Sequence, residues 1–339
     1  MKKALKSAVA AAAAFAFVLS FAVSGAIAAP KTYKITMATP SNPEDNCVKA
    51  FFYFKDLVEK QSAGRISVDV KHTGQLGGHR DYMEGMKMGS LQAAEVNTAV
   101  LSGFDSKFMV FDLPYIAGSV DRVRAILDSG EGAKFAESLE KKTGVKIIGW
   151  MVRSPRNMYN SKNPIVTVKD FKGMKVRIME SPVISRAFTL LGAVPVPLSA
   201  NERYMALQTK VVDAAENSTP LIITQKEYEV TKFVSQTEHL ISPNIIGMSA
   251  KFFNSLPADL QKIVLEAGDA AGRYESKLDL DGDAAAFKEL ARLGMKVNTV
   301  PDKSSFVNAV KPLYQEYRNQ IGGDIIDTFV NFKYTPPKK

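Results

Sequence analysis

The residues of this 339-residue chain best placed to do chemistry are arginines and amides at the ends of strands. In Phe171-Lys172-Gly173-Met174-Lys175-Val176-Arg177-Ile178, Gly173 breaks a polar turn, and Met174, Val176 and Ile178 then alternate with Lys175 and Arg177. That is the pattern of a strand with one buried face. Glu180, Ser181 and Pro182 follow as the loop and first turn of a helix. Arg177 thus stands near the carboxyl end of a strand, where α/β folds bind ligands. A guanidinium there offers a planar fork of donors to a carboxylate; the competing reading is a surface strand whose Arg is simply solvated. A second pair, Arg153 and Arg156, lies at the exit of the strand Val145 to Val152, which carries the only tryptophan, Trp150. Two arginines at a strand exit form a candidate anion site, although solvation is the commoner fate of such a pair. The short strand Ala93 to Val96 delivers Asn97 and Thr98 into a third loop at a strand's carboxyl end.

Catalytic signatures are missing around these groups. The chain has no G-x-x-x-x-G-K-[ST], G-x-G-x-x-G, C-x-x-C or H-E-x-x-H, and His72, His79 and His239 are far apart. Cys47 is alone, so it makes no internal disulfide and reads as a small buried residue on the first helix. The expectation is a binding protein rather than an enzyme, with no metal and no cofactor, although active sites do assemble from distant loops.

The elements that must hold these loops follow in order. Lys2, Lys3 and Lys6, the apolar run Ala8 to Val23 and Ala26-Ile27-Ala28 make a signal peptide over residues 1–28, so the mature protein is expected in the periplasm, cleaved after Ala28. Without those residues the charge balance is 41 basic against 35 acidic side chains. That modest, dispersed excess suits solubility and anionic ligands and gives no basic cluster for nucleic acid. Tyr33 to Ala38 reads as a strand, Asn42-Pro43-Glu44 as a helix start, and Ile66 to Val70 as a second strand. Gln75-Leu76-Gly77-Gly78 then leads into a helix with Tyr82, Met83, Met86 and Met88. This βαβα run implies a parallel sheet. Ser199-Ala200-Asn201-Glu202 is a capping box. Phe233 to Ser242 and Ile245 to Ser249 read as crossover strands. Between Pro257 and Leu293 there is no further Pro and an apolar stripe from Leu260 to Leu290. One continuous helix there would reach about 50 Å and brace two lobes; the alternative is a break near Gly282. Phe306 to Gln320 is a further helix.

Gln75-Leu76-Gly77, Asp112-Leu113-Pro114-Tyr115, Gly173-Met174-Lys175-Val176-Arg177, Tyr204-Met205-Ala206-Leu207-Gln208-Thr209 and Val212-Asp213-Ala214-Ala215-Glu216-Asn217, in this order, resemble the periplasmic solute-binding proteins of tripartite ATP-independent periplasmic (TRAP) transporters. The resemblance covers essentially all of the mature chain. It implies an α/β, two-lobe periplasmic-binding-protein clamshell braced by a long helix, with lobe 1 at 29–152 plus about 243–282 and lobe 2 at 153–242 plus about 283–330. It also implies a monomeric receptor that closes on a small organic acid and passes it to membrane subunits of the transporter. The family's carboxylate-binding Arg falls on Arg177, its conserved Asn on Asn217, its second Arg on Arg156 with Arg153 as the alternative, and its polar residue after the third strand on Asn97. Ala214 stands where the family has Gly, and Ala200 where sialate-binding members have an aromatic.

The remaining candidates for the ligand are neutral: Asn97, Thr98, Ser181, Asn217, Ser218 and Thr219 suit hydroxyls. Trp150 and Tyr82 are candidates for stacking on a sugar ring, with the core as their alternative place. The expected ligand is therefore a sugar acid such as a hexuronate. The alternatives are a C4-dicarboxylate or other small carboxylate, or service to an ATP-driven importer.

Overall fold

The computed structural model describes residues 31–335, so the signal-peptide residues 1–28 and the Pro-Pro-Lys-Lys tail lie outside the described part. Strand β1 (Tyr33–Ala38) leads to helix α1 (Asn46–Gln61). This helix starts later than Asn42-Pro43-Glu44 suggests, because Asp45 closes a turn on Asn42 and its side chain then accepts the backbone N–H of Cys47 at 2.7 Å. Strand β2 (Ile66–Lys71), helix α2 (His79–Met88) and strand β3 (Ala93–Asn97) complete the βαβαβ run. Helix α3 (Gly132–Thr143) precedes strand β4 (Val145–Met151), after which the chain crosses to β5 (Arg156–Asn160), β6 (Lys175–Ile178), helix α4 (Pro182–Leu190) and β7 (Val194–Pro197). Pro195 and Pro197 are tolerated because β7 is an edge strand. Helix α5 (Arg203–Gln208), strand β8 (Ala214–Ser218), helix α6 (Thr219–Thr224) and strand β9 (Phe233–Leu240) follow. Strand β10 (Asn244–Ser249) returns to the first side, helix α7 (Ala258–Arg292) spans both, and β11 (Lys296–Thr299) and helix α8 (Gly323–Asn331) close the chain.

The strands form two sheets, ordered β2-β1-β3-β10-β4 and β11-β9-β5-β8-β6-β7. β10 runs antiparallel between β3 and β4, and β5 antiparallel between β8 and β9, so each sheet contains a strand supplied by a crossover.

Helix α7 is continuous over 35 residues, with no break at Gly282, and is about 52 Å long at 1.5 Å per residue. Leu260, Val264, Ala267 and Ala271 join the core behind the five-stranded sheet, whereas Leu290 joins Tyr159, Ala215 and Val234 behind the six-stranded one. Its seat on β4 is backbone to backbone: a Cβ on Gly149 would collide with the carbonyl of Gly268, and one on Gly268 with the carbonyl of Ile148. Only glycine permits that approach.

The end of the chain departs from expectation twice. The single helix read over Phe306 to Gln320 is three short ones, Ser304–Val310, Leu313–Glu316 and Arg318–Ile321, interrupted at Pro312 and Tyr317. The segment also does not stay with the second sheet. Phe306 packs edge-on against Phe171 at 5.9 Å, but Phe329 packs against Phe111 at 5.3 Å and Tyr314 Oη donates to the Pro114 carbonyl at 2.7 Å.

Candidate functional site

The carboxyl ends of β3, β6 and β8, the amino end of β5 and the amino ends of α2 and α5 converge on a cavity of about 230 Å³. This is smaller than a typical drug-sized site of roughly 300–1,000 Å³ and suits a molecule the size of a monosaccharide.

Arg177, on β6, lines this cavity and is 2% exposed. Val176 and Ile178 on either side are buried against the sheet, which fixes the backbone from which it projects. Its Nε and Nη2 donate to the carbonyl of Leu198 at 2.9 and 2.6 Å, and its Nη1 has no partner among the described residues. Burial pushes the guanidinium down to about 9, with the positive charge of Arg203 next in effect. A buried cation without a counter-charge is costly, and a carboxylate supplied by a ligand would relieve that cost.

The other buried arginines around the cavity already have partners. Arg156 holds Glu216 through Nε and Nη2, the latter 2.9 Å from Oε1, and also donates to the Glu216 carbonyl at 2.7 Å. Burial would raise Glu216, but Arg156 and the nearby His239 outweigh it and hold the carboxyl at about 2. Arg203 pairs with Glu227, which also accepts from Tyr159 Oη at 2.5 Å. Arg153, just after β4, is shared by Asp45 at 3.2 Å, Glu95 at 3.5 Å and Glu275 of α7 at 2.6 Å, the last contact being poorly aligned for a hydrogen bond.

Asn217 and Ser218 at the end of β8 face the same cavity; Asn217 Oδ1 accepts the Ser218 N–H at 3.0 Å, and Ser218 Oγ has no partner among the described residues. On the opposite wall, Asn97 caps the short helix after β3, accepting from Ala99 N at 2.9 Å and donating to Asn244 Oδ1 at 2.5 Å.

Five expected residues lie elsewhere. Trp150 stacks in an aromatic core with Phe108, Phe111 and Phe135, ring centroids 6.1–6.4 Å apart, and does not line the cavity. Ser181 turns away to cap α4 and donates to Asp112 at 2.7 Å. Burial raises Asp112 to about 7. Thr98 and Thr219 likewise bond within the protein, to Ser242 and Asn157, and Tyr82 is fully buried. Trp150 and Tyr82 were legible only as apolar residues at strand or helix spacing, which does not distinguish a core face from a cavity face.

Among the cavity residues that escape sequence reading are His79, Glu95, Arg203 and Asn244. Nothing marks Glu95 in a short apolar strand as special, and the capping box announces the helix of Arg203 without telling which face turns inward. His79 Nδ1 accepts from Asn97 N at 3.3 Å, and burial lowers its pKa against the pull of Glu95. Glu95 accepts from Thr39 at 2.5 Å and from Asn244; burial would raise it, but Arg153, His79, Thr39 and Cys47 bring its pKa down.

The two walls also touch directly. Asn201 Nδ2 donates to the carbonyl of Gly77 at 3.0 Å, and Asn42 Nδ2 to that of Thr224 at 3.2 Å. Gly74, at φ +64°, gives Asn201 its room, since a Cβ there would lie 2.8 Å from Nδ2. Among the described residues no group of three or more His, Cys, Asp or Glu is placed to hold a metal ion.

Residues 37–320 match the bacterial extracellular solute-binding protein family 7. A solute-binding protein of Sulfitobacter sp. strain NAS-14.1 is 33% identical over 287 residues, which is 84% of this chain and 87% of the relative. The crystal structure of a TRAP periplasmic solute-binding protein from Sulfitobacter sp. NAS-14.1, with bound β-D-galacturonate, is similar at a TM-score of 0.84 and 30% identity, covering 88% of this chain and 99% of that one. Another, from Sulfurospirillum deleyianum with bound succinate, is similar at 0.85 and 27%, covering 89% and 100%. Because the match runs through both sheets, helix α7 and every strand end that lines the cavity, the chain belongs to bacterial extracellular solute-binding protein family 7, the receptors of TRAP transporters.

Proposed function

We propose that this protein is a periplasmic receptor that binds one sugar acid, a hexuronate or a close relative, and delivers it to the membrane subunits of a TRAP transporter without altering it chemically. The carrying observation is Arg177: a buried guanidinium at a strand end, lining the cavity, with Nη1 unpartnered among the described residues and its nearest influential carboxylate, Glu216, already paired to Arg156. The ligand's carboxylate completes its fork, with Arg156 as the second contact and Asn217 beside it. The hydroxyls meet Asn97, Asn244, His79 and Ser218. Sugar acid is favoured over C4-dicarboxylate by this density of neutral donors and acceptors; the succinate-bound relative keeps the second reading open to test. The segments 33–151 and 244–249 on one side, and 156–240 and 296–299 on the other, are the lobes that close on the ligand, and the cross-cleft bonds of Asn201 and Asn42 belong to the closed form. Secretion after removal of residues 1–28 would give a mature chain starting at Ala29, which intact-mass analysis reads directly.

A thermal-shift screen across uronates, aldonates, C4-dicarboxylates and aromatic acids tests the assignment. The right acid at a hundredfold excess over its dissociation constant stabilises by about 2.7 kcal/mol. Stabilisation by succinate or malate with none by any sugar acid would overturn the sugar-acid reading.

A further inference from the structure

We infer that the cavity accepts a single carboxylate and rejects dicarboxylic acids, with Glu95 on the wall opposite Arg177 as the residue that sets this selectivity. The inference rests on the receptor reading of the same cavity and goes beyond it by fixing the charge of the ligand.

Four buried guanidinium groups line the cavity, and three are committed: Arg156 to Glu216, Arg203 to Glu227, and Arg153 to Asp45, Glu95 and Glu275. Only Arg177 has no carboxylate partner within the described protein. A second ligand carboxylate would therefore have to share a guanidinium whose charge a protein carboxylate already offsets. The one further cation on the lining, Arg80, is exposed and lies over the ring of Phe104 at 5.6 Å, outside the buried wall.

The far wall adds repulsion. There a single guanidinium, Arg153, serves three carboxylates. Glu275 keeps its proton up to about 8 because burial outweighs Arg153, and burial raises Asp45 too, whereas Glu95 is lowered and carries the wall's negative charge. Glu95 lines the cavity at 2% exposure and is held ionised by Arg153, His79, Thr39 and Cys47. Of the other titratable groups on this wall, His79 has its pKa lowered by burial, and the exposed Asp81 accepts the Gly78 N–H at 2.8 Å. The remaining polar side chains of this wall, Asn97, Asn244 and Ser242, are neutral and already bond one another, so they offer a ligand no charge.

A cavity of about 230 Å³ has the volume of a sphere about 8 Å across. Two like charges at about that separation, at an effective dielectric of about 20, lower affinity about thirtyfold.

Calorimetry on the wild-type protein with matched pairs decides the matter: galactonate against galactarate, and 4-hydroxybutyrate against succinate, each pair exchanging one terminal hydroxymethyl for a carboxylate. The monoacid of a binding pair is expected to bind about thirtyfold or more tighter, and Glu95→Gln should cut that ratio at least tenfold. Asp45→Asn serves as the second variant if Glu95→Gln does not fold. A diacid that binds as tightly as its monoacid overturns the inference, even if it is the sugar diacid and the sugar-acid reading survives. Binding of 4-hydroxybutyrate alone supports the single-carboxylate rule while removing the sugar-acid reading. An unchanged ratio in the variants removes the role of Glu95, and absence of binding by every acid overturns both readings.

Discussion

Replacing Arg177 by Met separates a binding residue from a structural one. Without ligand, the guanidinium is 2% exposed and among the described residues bonds only to the Leu198 carbonyl. Met removes a buried, uncompensated charge, whose desolvation costs several kcal/mol. It also removes one forked charge-assisted contact, worth about 1.5–3 kcal/mol. The two nearly cancel, so the ligand-free variant should be as stable as wild type or more stable by about 1–2 kcal/mol. Arg156→Met and Arg203→Met behave differently, because each strands a buried carboxylate, Glu216 or Glu227, at a cost of about 3–5 kcal/mol. For a chain of this size 1 kcal/mol shifts the melting temperature by roughly 1.5–2 °C, which makes those two variants about 5–10 °C less stable. Binding should run the opposite way for Arg177. Loss of a desolvated charge pair costs about 2–5 kcal/mol, or roughly 30- to 5,000-fold in affinity. Arg177→Lys keeps the charge but not the fork, and should lose about 1.5–3 kcal/mol, on the order of 10- to 150-fold. Scanning fluorimetry without ligand and calorimetry with the best acid from the screen measure both quantities. The reasoning fails if Arg177→Met melts as low as the other two, or if it binds with wild-type affinity.

Asn217→Ala should weaken binding by only about 1 kcal/mol, roughly fivefold, since it loses one neutral hydrogen bond; a loss as large as that of Arg177→Met in calorimetry would make Asn217 the main anchor instead. Trp150→Phe should lower stability by about 1–2 kcal/mol through the void it leaves, yet hold affinity within about twofold, because the indole packs against Phe108, Phe111 and Phe135 and not the cavity. Glu275 binds its proton in the folded protein up to about 8, against 4.5 for a free side chain. The unfolded chain thus releases the proton first, and Glu275 opposes folding increasingly as pH rises from about 4.5 to about 8. Glu275→Gln should flatten the decline of denaturant stability across that window, and an unchanged slope would show that Glu275 is ionised at neutral pH.

What the sequence determined on its own is whatever depends on short-range order. The alternation around Arg177, the capping box at Ser199 and Glu202, and the βαβα run from Tyr33 to Met88 are local patterns, and all three form, with only the start of the first helix displaced from Asn42-Pro43-Glu44 to Asp45. The continuity of helix α7 was half legible: composition allowed it, while Gly282 left a break open. Its seat against β4 at Gly149 and Gly268 shows how the same helix is fixed between two sheets. Which arginines are committed could not be read, because Glu216, Glu227 and Glu275 lie 60, 24 and 122 residues from Arg156, Arg203 and Arg153 and meet them only when strands and helices cross. For the same reason Arg153, Arg156 and Arg177 look alike as strand-end cations. Tertiary structure alone decides that one of them is left without a counter-charge, and burial turns that difference into a binding site.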